Sequence, residues 1–146
     1  MAKAKGVKSS EQRARPSQIP TAEIPVDRWI PFLAEFTREN RGAHARLDVL
    51  GGDVGYQVET EDRPFDGIST DIKDGERVVW ITFGSTPADH LTHGVQNVKA
   101  VRVRPPVAEF GAVVEVTAED GTRTLLELTL PEAYALPPGA AEHPSS

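Results

Sequence analysis

Histidines are the side chains of this chain whose type and spacing come nearest to a chemical site. His90 and His93 lie three positions apart, and His44 could supply a third imidazole. Neutral imidazole is a good zinc ligand, so these residues with nearby carboxylates could form the site of a metal-dependent hydrolase. Residues at i and i+3 share a face on a helix but point to opposite faces on a strand. The alternation of Leu91, His93 and Val95 favours a strand, so we predict no metal and no cofactor and keep the hydrolase as an alternative.

Carboxylates are the second group of side chains that could carry chemistry. Calcium loops need closely alternating oxygen ligands ending in a bidentate glutamate, and the acidic run between positions 59 and 76 lacks that spacing. Glycoside hydrolysis needs two carboxylates about 5–9.5 Å apart, and no pair here is set apart by its spacing. Glu127 interrupts an apolar run but alternates outward with Leu125 and Thr129. We therefore predict no catalytic residue, and we interpret the acidic run as a solvated edge that resists aggregation. The run consists of Glu59, Glu61, Asp62, Asp66, Asp71, Asp74 and Glu76.

The charge of the chain is divided between a basic start and an acidic remainder. The net charge is −6, which disfavours long-range attraction of the body to nucleic acid or to an anionic membrane. A basic strip of Lys99, Arg102 and Arg104, joined by Arg46 and Arg77, leaves weak nucleic-acid binding by a small barrel as a further alternative. No apolar run approaches the roughly 20 residues of a membrane span. The chain has no cysteine, which excludes disulfides and thiolate chemistry and favours a cytoplasmic protein.

Composition divides the chain into three parts. Residues 1–23 are rich in Lys, Ser, Ala and Pro without any period, which predicts a disordered basic leader. Residues 132–146 have a similar composition and predict a disordered tail. A single domain is therefore expected over residues 24–131.

The domain begins with an amphipathic helix. Its apolar residues follow the i, i+3, i+4, i+7 pattern of one buried stripe. Asp27 is the predicted N-cap and Gly42 the predicted C-cap. An isolated helix of this length is marginal in water, so the stripe must pack on a sheet. The stripe consists of Trp29, Phe32, Leu33 and Phe36.

Short strands with turn signals follow the helix. Gly51-Gly52 predicts a two-residue hairpin turn that pairs Leu47 with Tyr56 and Ala45 with Val58. Further strands are expected near residues 65–72, 77–83, 91–95 and 98–104. The strand over 77–83 is apolar on both faces, which predicts a central position. By alternation, Tyr56 and Trp80 are both expected to face the core.

The last hairpin has the clearest register. A three-residue loop, Glu119-Asp120-Gly121, places the apolar residues of both strands on one face, whereas a two-residue loop would oppose them to charge. Such a loop needs a residue in the left-handed region, and Gly121 provides it. The predicted pairs are Val114 with Leu126, Ala112 with Leu128 and Phe110 with Leu130.

These elements predict an α+β fold. We expect one N-terminal amphipathic helix packed on a curved antiparallel sheet, or on a partly open small β-barrel, of about seven strands. The residues expected to hold the structure together are Trp29, Phe32, Phe36, Trp80 and Gly121.

Four short motifs follow one another along the domain. They are Trp29-Ile30-Pro31-Phe32-Leu33, Asp66-Gly67-Ile68-Ser69, His90-Leu91-Thr92-His93 and Asp120-Gly121-Thr122. In this order they resemble a family of small bacterial proteins known only as a domain of unknown function. The resemblance covers roughly residues 24–130 and implies a single bacterial domain. It implies no activity, cofactor or catalytic residue.

The pattern as a whole favours a binding function over an enzymatic one. The sequence contains no nucleophile elbow, phosphate loop or dinucleotide fingerprint. We therefore expect a small soluble domain that binds a protein partner, or a second copy of itself, along an exposed sheet face or an edge strand. The sequence does not identify the partner.

Overall fold

The computed structural model describes residues 21–51, 55–107 and 110–129. Most of the predicted leader and tail, residues 1–20 and 132–146, lies outside the described residues. Residues 22 and 23 were expected in the leader, but they form a short strand. No helix in the described ranges is long and apolar enough to cross a membrane.

The described residues form one α-helix and eight strands. The helix, α1 (Trp29–Asn40), follows a 3₁₀ turn over Val26–Arg28. Asp27 lies inside this turn and makes no side-chain capping bond, so the predicted N-cap is wrong. The C-cap is Arg41 and not the predicted Gly42, which follows it with φ of 94°. The strands are β1 (Ala22–Glu23), β2 (His44–Gly51), β3 (Gly55–Lys73), β4 (Glu76–Phe83), β5 (Leu91–Gln96), β6 (Val98–Arg104), β7 (Phe110–Ala118) and β8 (Arg123–Thr129).

The strands make a single antiparallel sheet in the order β1-β6-β7-β8-β2-β3-β4-β5. The sheet ends at β1 on one side and at β5 on the other, so it is not closed into a barrel. One helix packed on a large antiparallel sheet confirms the predicted α+β class, with eight strands where about seven were expected.

The sheet is bent within β3, so that the two halves of this strand belong to two different parts of the sheet. Residues from Gly55 to Pro64 pair with β2, and residues from Phe65 to Lys73 pair with β4. The change follows Asp62, whose φ of 62° lies in the left-handed region, and Pro64, which cannot donate to a ladder. Because of this bend, β4 contacts β6 and β5 contacts β7.

The core lies between the inner faces of the two parts, and α1 covers its open side. Trp29, Leu33 and Phe36 are buried, whereas Phe32 is half-buried at the margin. The indole Nε1 of Trp29 donates to the carbonyl of Ile24 at 2.8 Å, which satisfies the polar atom of this buried ring. The Phe36 ring meets Phe65 edge to face, with centroids 5.9 Å apart. The apolar stripe of α1 therefore packs against β3 within the core.

The last hairpin has the predicted loop. Ala118 N donates to Thr122 O at 2.8 Å, and Gly121 has φ of 93°. Val114 pairs with Leu126, as predicted. Phe110 pairs with Thr129 rather than with Leu130, because a bulge shifts the register between Phe110 and Val113.

The register of the first hairpin differs from the prediction. Leu47 pairs with Thr60 and not with Tyr56, which lies opposite Leu50. The connection runs over residues 52–54, outside the described part, and two irregularities shift the ladder farther along β2. As a result, Tyr56 does not face the core and is 57% exposed.

Candidate functional site

β5 lies at one end of the sheet and has a free edge. β5 pairs with β4 through Thr82–Thr92, Ile81–His93 and Trp80–Gly94. Among the described residues, no other strand pairs with β5. Its outer backbone groups therefore form the row of donors and acceptors that an edge strand offers to a partner.

The composition of β5 contains none of the usual protection of an edge. Natural edge strands are commonly kept short, charged, interrupted by proline or bulged, which prevents unwanted pairing. β5 has six residues, Leu-Thr-His-Gly-Val-Gln, without Lys, Arg, Asp, Glu or Pro. Its pairing with β4 is regular over all six positions. The edge is thus a regular template for another strand.

Trp80 lies on the outer face of the sheet beside this edge, which corrects the prediction that it faces the core. It is 40% exposed because no layer of the described chain covers the outer face of β4. The ring packs over Gly94 of β5, where an added Cβ would lie 2.6 Å from Trp80 Cζ3. Glycine at this position lets the indole lie flat across the last strand. Partly exposed Trp residues are frequent anchors of protein interfaces.

His93 lies on the inner face of β5, opposite Ile81. Burial lowers the pKa of its imidazole, and the charge of Glu59 on β3 partly opposes this shift. The ring is therefore neutral at neutral pH. The whole β5 edge then carries no charged side chain under these conditions.

His90 lies just before β5, at the rim of a cleft of about 440 Å³. Its Nε2 is 3.5 Å from Asp66 Oδ2, and Arg41 Nε is 3.7 Å from Asp66 Oδ1. Asp89 accepts bonds from the backbone and hydroxyl of Thr86, which fixes the loop at the cleft wall. Two of the four sequence motifs therefore meet here. The cleft is lined by Asp66, Gly84, Ser85, Thr86, Pro87 and His90.

The three candidate metal ligands occupy different surroundings. His44 Nδ1 lies 2.6 Å from Asp62 Oδ1, His90 lies beside Asp66, and His93 faces the core side of β5. Within the described ranges, no group of three or more His, Asp or Glu residues is placed to hold a metal ion. The His44–Asp62 and His90–Asp66 pairs could each orient an imidazole, but neither pair is a ligand set for zinc.

A polar network on the outer face of β2 and β8 was missed by sequence reasoning. Arg46 Nε donates to Asp48 Oδ1 at 2.9 Å, and Tyr56 links to both side chains. Glu127, expected to be exposed, is half-buried opposite Arg46. Burial and the charge of Asp48 raise the pKa of Glu127, while Arg46 and Arg104 oppose this shift. Alternation predicted that Glu127 lies on the outer face, but it did not predict that this side chain is half-buried.

The predicted basic strip does not form one exposed surface. Arg104 is buried and donates to the carbonyls of Pro105 and Gly111. The guanidinium of Arg77 lies over the Trp29 ring at 5.6 Å. Arg102 lies near Glu23 and Glu115. Arg77, Arg102 and Arg104 therefore each lie against other groups of the chain and do not form the predicted strip.

Comparison with known proteins identifies the family to which this chain belongs. A family model described as a family of unknown function, DUF5335, matches residues 20–137, so the chain belongs to that family. An uncharacterized protein from Aquifex aeolicus (strain VF5) is 30% identical over 108 residues, covering 74% of this chain and 91% of that protein. No solved structure matches the chain. The resemblance predicted from the four motifs is therefore confirmed.

Proposed function

We propose that this protein is a non-enzymatic interaction domain that accepts a β-strand along the free edge of β5. The observation that carries the proposal is a regular six-residue edge without a charge or a proline. Strand addition uses main-chain hydrogen bonds for affinity and neighbouring side chains for specificity. Cytoplasmic residence is part of the proposal, because a chain without cysteine needs no oxidising compartment.

The free energy of strand addition at this edge is a small difference between opposing contributions. Each backbone hydrogen bond gained by the partner strand contributes about 0.5–1.5 kcal/mol net. Contact with the Trp80 ring removes further apolar surface from water, at about 25 cal/mol per Å². Ordering the incoming strand opposes both contributions, at about 1–2 kcal/mol per residue. The two backbone contributions nearly cancel, so the apolar contact with the Trp80 ring decides the affinity.

Amide hydrogen exchange of the full chain tests the proposal with a blocked peptide that copies residues 91–96. At saturating peptide, we expect the β5 amides that point away from β4 to exchange at least tenfold more slowly. The matched control peptide carries proline at the positions copied from His93 and Val95, which removes two donors. Unchanged exchange in β5, or equal protection by the proline peptide, would contradict strand addition.

A further inference from the structure

We infer that the strand accepted by β5 is β5 of a second copy of this chain, paired antiparallel about a two-fold axis. This inference rests on the proposed function. An uncharged edge meets no like charge when it faces itself, so no side chain of β5 repels its own copy. A charged edge in the same position would repel its copy.

The geometry of an antiparallel pair restricts the register. Directly opposite residues point to the same face of a sheet, so the inner residues Leu91, His93 and Val95 must oppose inner residues of the second copy. The pairing must then be centred on a residue and not on a peptide bond. The registers that pair most of the strand are centred on Thr92, His93 or Gly94.

The backbone on either side of β5 selects the register centred on His93. His90 has φ of −76° and ψ of 135°, so its extended backbone can continue the ladder. Asn97 has φ of 54°, which ends the strand on the other side. Centring on His93 pairs the whole segment from His90 to Gln96 with its copy. Centring on Gly94 would bring Asn97 into the ladder, and centring on Thr92 would leave the end of β5 unpaired.

This register also covers exposed apolar surface. Leu91, which is 38% exposed, lies opposite Val95 of the second copy. On the outer face, Thr92 lies opposite Gly94 of the second copy, so the indole of Trp80 borders the junction. The two sheets then continue into one another across the β5 edges.

Cysteine substitution tests the register because the chain contains no cysteine. Opposite Cα atoms in an antiparallel pair lie about 4.5–5.5 Å apart, within the 4.4–6.8 Å that disulfides span. We expect His93→Cys to form a covalent dimer on mild oxidation, seen on non-reducing gels and by light scattering. Leu91→Cys combined with Val95→Cys is the second variant, since these two positions oppose each other between copies. Native far-UV circular dichroism of each reduced variant checks its fold.

Gln96→Cys is the matched control, because two such positions lie about 20 Å apart in this register. If Gln96→Cys cross-links as rapidly as His93→Cys, the cross-links arise from random collision and the inference is overturned. A preferred cross-link of Thr92→Cys would overturn the register. If no variant cross-links and the chain stays monomeric while the peptide still protects β5, the edge accepts a free strand but not β5 of a folded second copy, which overturns the inference and leaves the proposed function standing. If the peptide also leaves the exchange of the β5 amides unchanged, the proposed function is contradicted as well.

Discussion

Two strand edges of the molecule differ in whether their backbone groups have partners within the described chain. The edge of β3 that faces α1 is closed by side chains at the end of the helix: Thr37 Oγ1 accepts from Ile68 N and donates to Ile68 O, both at 2.9 Å, and Arg41 Nε donates to Asp66 O at 2.9 Å. The edge of β5 has no such cover among the described residues, and its side chains are uncharged at neutral pH. The same fold thus satisfies backbone groups of one edge internally and leaves the other without a neighbouring strand in the described part of the chain. A helix that packs on the core can protect only the strand it crosses.

Removal of the hydroxyl that closes the β3 edge has the largest expected effect. Thr37→Val keeps the shape of the side chain but leaves the N–H and C=O of Ile68 without their partner. An unsatisfied buried group costs about 1–3 kcal/mol, so we expect the free energy of unfolding to fall by about 2–4 kcal/mol in urea denaturation. Thr37→Ser retains the hydroxyl and is the control. Equal loss in both variants would show that the hydroxyl does not close this edge.

Gly94→Ala is expected to have the next largest effect, on the outer face of β5. The added methyl would lie 2.6 Å from the Trp80 ring, which must move away from the edge. Overpacking of this kind costs about 1–3 kcal/mol, measured as the free energy of unfolding. In the background of Trp80→Ala, the same change should cost little, because the conflicting ring is absent. An equal cost in both backgrounds would show that the ring does not pack on Gly94.

The two hairpins show how much of this fold follows from sequence. The last hairpin was predictable because Gly121 fixes the loop and alternation fixes the face of Val114 and Leu126. The first was not, since its connection spans residues 52–54 instead of the predicted two glycines, and two irregularities along β2 shift the pairing further. Alternation also failed for Trp80, because it reports which residues share a face and not whether another layer covers that face.

The candidate site was harder to predict than the fold. The absence of charge in residues 91–96 can be read from the sequence, but only the strand order shows that this segment is an edge. The pairing of His90 with Asp66 depends on strands far apart in the chain, so spacing could not predict it. The sequence therefore identified the uncharged segment and His90, but not the residues that lie beside them in the fold.

A single charge on β5 should weaken the pairing of the two copies. In the proposed dimer, Thr92→Lys places one ammonium group of each copy at the junction, beside the indole of Trp80. We expect the dissociation constant of the dimer, measured by sedimentation equilibrium, to rise at least tenfold, which corresponds to about 1.4 kcal/mol. Ala22→Lys places the same charge on β1, the opposite edge, and should leave the constant unchanged. Equal weakening by both variants would point to general repulsion and not to pairing at β5.

The smallest expected effect is the pH dependence that His93 gives to this edge. Burial holds the pKa of the folded-state imidazole below its ordinary value of 6.5, so the unfolded chain binds the proton more readily. The stability that depends on neutral His93 is therefore complete above about pH 6.5 and decreases as the pH falls through this value toward the folded-state pKa. In the dimer, protonation also places two like charges opposite each other, although Glu59 attracts each of them.

Urea denaturation of dilute protein, repeated between pH 8 and pH 5, measures this contribution in the monomer. We expect His93→Gln to show a smaller loss of stability across this range than the unsubstituted chain. Thr92→Gln, on the opposite face of the same strand, leaves His93 in place and should keep the original pH dependence. An unchanged slope in His93→Gln would mean that the pKa of His93 is the same in the folded and unfolded chain, so that the imidazole is protonated and the β5 edge is charged at pH 5.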